Sequence, residues 1–374
     1  MYQRKLILLE SIMKAEKKIL VALSGGVDSG VAALVLKRQG YAVSGIFMKT
    51  WVDEAHSDPF GTCPWQEDLD SARSVAETLG IPFSVINMVN HYRERVVSYL
   101  VDGYKNGITP NPDLMCNREI KFGLLMQHAK QNGFDLLATG HYCRKVENED
   151  GSYDILQGID QNKDQSYFLC LLSQEQIASA CFPIGHLTKP EVRKLAEEAN
   201  LPNAHRKDSQ DICFLGGRVT INDFLKNYIP QQEGDIVNVE GTVLGKHEGL
   251  HNYTLGQRKG IGIPSNADFK KYVVVGKIFE KNQLIVAFED LHAPGLYTNE
   301  VLVRDLQFIN KPLTIETELQ AKPRYRDPCQ DILFAPLGNN QAKITFRQQQ
   351  RALAKGQAIA FYQNQKLIGG AIYC

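Results

Sequence analysis

Ser24-Gly25-Gly26-Val27-Asp28-Ser29 stands between an apolar run, Ile19-Leu20-Val21-Ala22-Leu23, and the segment Gly30-Val31-Ala32-Ala33-Leu34-Val35-Leu36-Lys37. The run is short, continuous and apolar, which reads as a buried strand. In the second segment Val31, Leu34 and Val35 recur at helical spacing, and Gly40 marks the stop. A glycine-rich turn that leaves a strand and opens a helix is suited to hold an anion. Backbone N–H groups point outward there, and the helix start carries about half a positive charge. Gly25 and Gly26 let the backbone approach closely, while Ser24 and Ser29 add hydroxyl donors. The stretch is neither a Walker A loop, which needs Lys-Ser/Thr after the glycines, nor a dinucleotide G-x-G-x-x-G. A plain strand–helix turn without ligand is the weaker alternative.

Outward from the loop, strands at 42–48, 83–86 and 136–139 alternate with helices at 68–79, about 92–104 and 112–133. This alternation predicts an α/β domain with a doubly wound parallel sheet. Ligands in such sheets sit beyond the carboxyl ends of the strands. That edge gathers 24–29, Met48 and Gly140-His141. After about Gly217 the pattern changes. A helix at 221–228 is followed by short alternating strands at 235–239, 272–278, 301–303, 315–319, 342–346 and 357–362. We expect a catalytic domain over 1–217, a small β-rich central domain over 218–290 and a C-terminal β-barrel over 291–374.

With 374 residues, the chain has room for two or three domains. Forty-two basic residues balance forty-two acidic ones, so an RNA surface must come from local patches. No apolar run reaches membrane length and no signal peptide is apparent, so a cytoplasmic protein is expected. The eight cysteines lack paired spacing and include no Cys-x-x-Cys. Reduced thiols are therefore expected rather than a disulfide framework, a zinc site or an iron–sulfur site.

Two cysteines have telling neighbours. In Thr109-Pro110-Asn111-Pro112-Asp113-Leu114-Met115-Cys116-Asn117, Asn111 suits an N-cap, Pro112 the first helical position and Asp113 the first turn. Cys116 then lies near a helix start, where a thiolate is stabilised. Asp113 shares its helix face, a placement for an acid or base. Cys213 follows the basic triplet His205-Arg206-Lys207 but is flanked by Ile212 and Phe214, and reactive and buried readings balance there. Cys63, Cys143, Cys170, Cys181, Cys329 and Cys374 read as packing residues.

Further stretches stand in order with these: Ala138-Thr139-Gly140-His141-Tyr142, Lys163-Asp164-Gln165-Ser166-Tyr167, Asp211-Ile212-Cys213-Phe214, Tyr253-Thr254-Leu255-Gly256-Gln257-Arg258-Lys259-Gly260 and Arg324-Tyr325. The loop at 24–29 resembles the pyrophosphatase loop of enzymes that split ATP into AMP and pyrophosphate. The whole set, over nearly the full chain, resembles the bacterial tRNA-specific 2-thiouridylases. It departs from them in loops only, at 53–65 and in Leu255.

The resemblance implies ATP-dependent adenylation of the C2 oxygen of the wobble uridine in tRNAs for Lys, Glu and Gln, then sulfur transfer to C2. ATP would bind at Ala22, Leu23, Ser24, Gly25, Gly26, Val27, Asp28, Ser29, Met48 and Gly140, with Asp28 helping to hold Mg2+ through the pyrophosphate. Cys116 would be the nucleophile, Cys213 the persulfide carrier and Asp113 the acid or base. Asn111, Pro112 and Asp113 would meet the target base. His141, Lys163, Asp164, Gln165, Arg324, Tyr325 and Gln357 would contact tRNA. A carrier protein fed by a cysteine desulfurase would supply the sulfur. A loop around Cys213 would rearrange so that the persulfide is loaded and then buried. Two other readings stay open: an amide- or guanidine-forming ATP pyrophosphatase, and a non-catalytic AMP- and RNA-binding protein.

Overall fold

The computed structural model describes residues 16–51, 64–207, 220–264 and 270–374. The Asp211–Phe214 motif with Cys213, Cys63, most of the 53–65 loop and most of the expected leading helix lie outside them.

The apolar run at the N-terminus forms β1 (Lys18–Ala22), and the helix after the glycine loop is α1 (Val27–Arg38). Strands β2 (Ala42–Lys49), β3 (Phe83–Asn87), β4 (Leu136–Ala138) and β7 (Ala180–Cys181) complete a five-stranded sheet in the order β3-β2-β1-β4-β7. Every pairing in it is parallel. Side-chain alternation along a strand explains why both faces are covered. Ile19, Val21 and Leu23 enter a core with α1 and the helix α2 (Pro64–Leu79), whereas Leu20 enters the opposite core with Tyr92, Leu114 and Cys116.

The second core holds two helical stretches that change register midway. One runs from α3 (Val89–Tyr92) through a π-helical segment, Arg93–Val97, into α4 (Ser98–Lys105). The other runs from α5 (Pro112–Met115) through a longer π segment, Cys116–Leu125, into α6 (Met126–Gln131). Expected as single regular helices, both contain stretches of wider winding.

Strands β5 (Cys143–Glu147) and β6 (Tyr153–Gln157) form a hairpin absent from the sequence-based expectation. It lies within the expected catalytic domain yet extends the C-terminal sheet, because β6 pairs with β17 (Lys366–Tyr373). That sheet comprises β12 (Tyr297–Phe308), β13 (Thr317–Lys322), β14 (Gln330–Gly338), β15 (Gln341–Arg351), β16 (Ala358–Gln363) and β17. Pairing of β12 with β17 closes these six strands into a barrel. Closure removes the exposed edges an open sheet would present. Between the two units, β8 (Gly234–Asn238), β9 (Val243–His247), β10 (Tyr272–Ile278) and β11 (Gln283–Phe288) form a four-stranded sheet with its own small core. Among the described residues no helix is long and apolar enough to cross a membrane.

Candidate active site

The glycine loop leaves the carboxyl end of β1 and is locked from several sides. Gly25 takes φ +81°, and a Cβ there would lie 2.4 Å from the Asp68 carbonyl oxygen, so only glycine fits. Its own carbonyl accepts from Ser71 Oγ (2.8 Å), Asn203 Nδ2 (3.0 Å) and Arg206 Nη1 (3.3 Å). Ser29 Oγ donates to the Gly26 carbonyl (3.0 Å) and accepts from the Ser24 N–H (3.2 Å). Gly26 is the N-cap of α1 and uses no side chain, so the helix start at Val27, Asp28 and Ser29 presents its N–H groups. Gly140 packs onto this turn: a Cβ would sit 2.8 Å from Asp28 C and Ser29 N. Ala22 and Met48 are half-buried at the same carboxyl edge, packed on the core that contains Cys116.

Asp28 has partners that sequence inspection did not reveal. Lys189 Nζ lies 2.8 and 3.0 Å from its two carboxylate oxygens, and Tyr142 donates its hydroxyl at 2.7 Å. Lys189 is the first residue of a helix, α8 counting α7 (Gln174–Ala178) before it, spanning Lys189–Glu198. The capping box of Thr188 and Glu191 was a legible signal for that helix; the pairing with Asp28, remote in sequence, was not. Arg206, seven residues before Cys213 in the chain, also ion-pairs with Asp68, and this ties the basic triplet to the loop.

Asn111 caps α5 as expected, its Oδ1 accepting from the N–H groups of Asp113 (3.1 Å) and Leu114 (3.4 Å), with Pro112 at the first position. Cys116 is buried, and its N–H already bonds the Pro112 and Asp113 carbonyls. That places it beyond the first turn, where the helix-end field has largely decayed. The expected activation by the helix start is corrected accordingly: Cys116 sits at the junction of the α and π segments instead. Asp113 has its carboxyl raised above the ordinary range by burial, an effect that the nearby Lys121 partly offsets. His141 is buried between Phe122 and Phe182, with ring centroids at 6.0 and 6.3 Å, and Nδ1 lies 2.8 Å from Thr139 Oγ1. Burial, helped by Lys121, holds it neutral. One turn thus faces two ways: Tyr142 reaches Asp28, while His141 shares the Lys121 cation with Asp113.

The remaining predicted contacts divide. Lys163 and Gln165 are half-buried, and the Gln165 amide oxygen accepts the Tyr142 N–H at 3.1 Å. Asp164 is corrected: its side chain is 1% exposed and is bound by Lys322 Nζ (2.6 Å), Gly158 N (3.0 Å) and Ser166. A carboxylate so enclosed holds the loop together and offers no face to RNA. Tyr325 packs at 4.3 Å on Phe168, and Arg324 bonds Asp327 and the Arg351 carbonyl. Gln357 donates to the Thr109 carbonyl at 2.7 Å. Cys143, Cys170 and Cys181 are packing thiols: burial raises all three, Cys170 to about 12 and Cys181 to about 11. A cavity of about 510 Å³ is lined by barrel residues such as Leu306, Phe308 and Leu313, none of them a candidate site residue.

Models of three domain families match in succession: a tRNA methyl transferase HUP domain over 17–217, a tRNA methyl transferase PRC-barrel domain over 222–288 and an aminomethyltransferase beta-barrel domain over 298–373. A tRNA-specific 2-thiouridylase MnmA of Akkermansia muciniphila is 48% identical over 95% of this chain and 98% of its own length. Proteins of the same name from Alkaliphilus oremlandii and Exiguobacterium sibiricum are each 45% identical, over 95% of this chain and 96% and 93% of their own. With this identity carried through all three units, the chain belongs to the family of tRNA-specific 2-thiouridylases.

Proposed function

We propose that this protein is a tRNA 2-thiouridylase that spends ATP to activate the wobble uridine and then replaces its C2 oxygen with sulfur. The observation that carries the reading is the single turn Gly140-His141-Tyr142. It joins the anion loop at 24–29, through Tyr142 and Asp28, to the core that holds Cys116, through His141 packed on Phe122. The matching domain families are named for methyl transfer, but a phosphate cradle serves ATP activation rather than a methyl donor.

ATP phosphates lie along the N–H groups at the start of α1, with Lys189 beside them. The uridine C2 oxygen attacks the α-phosphorus and pyrophosphate departs. Asp28, its carboxylate 32% exposed, would help to hold a Mg2+ that accompanies the pyrophosphate. When bound, that ion neutralises charge on the departing pyrophosphate. A sulfur nucleophile then adds to C2 and AMP leaves with the former carbonyl oxygen.

The sulfur arrives as a persulfide on Cys213 from a carrier protein. In one route Cys116 attacks its inner sulfur and releases hydrosulfide, leaving a Cys116–Cys213 disulfide that a cellular thiol later reduces. In the other, the terminal sulfur attacks C2 and Cys116 resolves the product by forming the same disulfide. Asp113, kept protonatable by burial, handles the proton in either. The uridine leaves its stack in the anticodon loop to enter. Asn111 and Pro112 line its entry, and Lys163, Gln165, Arg324 and Tyr325 meet the RNA.

The test is nucleoside mass spectrometry of unmodified tRNA incubated with the protein, ATP and a persulfide donor. We expect 2-thiouridine with release of AMP and pyrophosphate, abolished in Cys116→Ser and Cys213→Ser. Full activity in both variants would overturn the sulfur mechanism and favour a ligase.

A further inference from the structure

Thr109, two residues before the N-cap of α5 in the catalytic unit, is held by both of the other structural units. Its N–H donates to the Lys355 carbonyl at 2.8 Å and its carbonyl accepts from Gln357 Nε2 at 2.7 Å. Its hydroxyl lies 3.3 Å from that of Thr254 in the central unit. Gly356 permits the approach: it has φ +87°, and a Cβ there would lie 3.2 Å from the Thr109 backbone. The segment at 351–357 also reaches outward. The Arg351 carbonyl accepts from Arg324 at 2.9 Å, and its guanidinium bonds Glu289 (2.8 Å) and the Gly256 carbonyl (3.0 Å). Between these contacts Ala352 takes φ +54°, a left-handed conformation costing an alanine about 1 kcal/mol or more, so its surroundings impose it.

Building on the proposed reaction, we propose that Gln357 and Thr254 are positioning residues that clamp Thr109 and so set where Asp113 and Cys116 stand. In this scheme Gln357 acts through the loop, its side-chain nitrogen giving one of its two hydrogens to the Thr109 carbonyl. The link runs from Arg324, expected at the RNA, along 351–357 to Thr109, then through the Asn111 cap into the helix that carries the acid and the thiol. Neither the barrel nor the central unit touches the reacting atoms in this scheme. Each holds one side of the loop that does.

The test compares wild type with Gln357→Leu and Thr254→Val, the second nearly isosteric and gentle on folding. Positioning predicts a single-turnover thiolation rate at saturating tRNA lowered about tenfold or more, because small misplacements are costly. The tRNA dissociation constant stays within about twofold. The limb of the rate–pH profile set by Asp113 moves to lower pH, because a loosened loop hydrates Asp113 and removes the burial that raises it. Amides of 109–116 exchange faster with solvent. A tRNA affinity weakened about tenfold at unchanged saturated rate would mean direct contact and overturn the proposal. So would lower thermal stability with an unmoved pH profile and unchanged exchange. If wild type forms no 2-thiouridine, the functional reading itself fails, and the exchange at 109–116 still decides whether the clamp exists.

Discussion

Asp28 illustrates how much one residue's role depends on partners far off in sequence. Its place at the start of α1 was legible, because a carboxylate in a strand–turn–helix loop is readily seen. Lys189 and Tyr142 were not, since only the folded sheet edge brings residues 161 and 114 positions away to within hydrogen-bond distance. The Lys189 ammonium is only 12% exposed and neutralises Asp28 beside the cradle. If pyrophosphate with a metal ion engages Asp28 as proposed, the same ammonium would be freed to bind phosphate oxygens. We therefore predict that Lys189→Met slows pyrophosphate release about a hundredfold, the scale for losing one preorganised charge-stabilising donor. Release from labelled ATP in the presence of tRNA measures this. Rates within about twofold of wild type would remove Lys189 from the phosphate site.

At the scale of elements, apolar spacing and caps carried the parallel sheet and the Asn111-capped helix, because those signals are local. The π segment at 116–125 was invisible because distant groups maintain it. Wider winding redirects main-chain carbonyls, and Gln176 from α7 takes two of them, Arg118 O at 2.8 Å and Phe122 O at 3.1 Å. Gly123 lets the coil close, as a Cβ there would lie 2.9 Å from the Arg118 carbonyl oxygen. The β5–β6 hairpin did leave a trace: Asp150-Gly151 between two strand-like runs is a turn signal, and Gly151 takes φ +78°. Its partner β17, over two hundred residues later, left none. Gln176→Leu removes both of these bonds and the Ser173 capping box of α7, so we predict a loss of about 1–3 kcal/mol in chemical denaturation. As the π segment begins at Cys116, thiolation should fall as well. Stability unchanged within about 0.5 kcal/mol, the scatter of neutral surface changes, would show that the π winding needs no such support.

Across the whole molecule, the barrel and the catalytic unit are joined through their interiors. The hairpin at β5–β6 adds to the barrel sheet, and Tyr167 donates its hydroxyl to the Ala358 carbonyl at 2.9 Å. The Asp164–Lys322 pair crosses the same boundary, with side chains 1% and 10% exposed. The sequence predicts three successive domains; the buried pair makes the placement of the barrel against the catalytic unit part of the fold. Removing one partner of such a pair leaves an uncompensated buried charge, whereas removing both can be nearly neutral. We predict that Lys322→Met costs about 3–5 kcal/mol in denaturant unfolding, and that adding Asp164→Asn recovers most of the loss. The double variant keeps an amide oxygen for the Gly158 and Ser166 N–H groups, so the loop carrying Lys163 and Gln165 survives, with tRNA affinity within a few-fold of wild type. If instead the double variant folds well but binds tRNA as poorly as a Lys163→Ala variant, Asp164 serves the RNA directly. Recovery of both stability and binding identifies the pair as what holds the barrel in register with the catalytic unit.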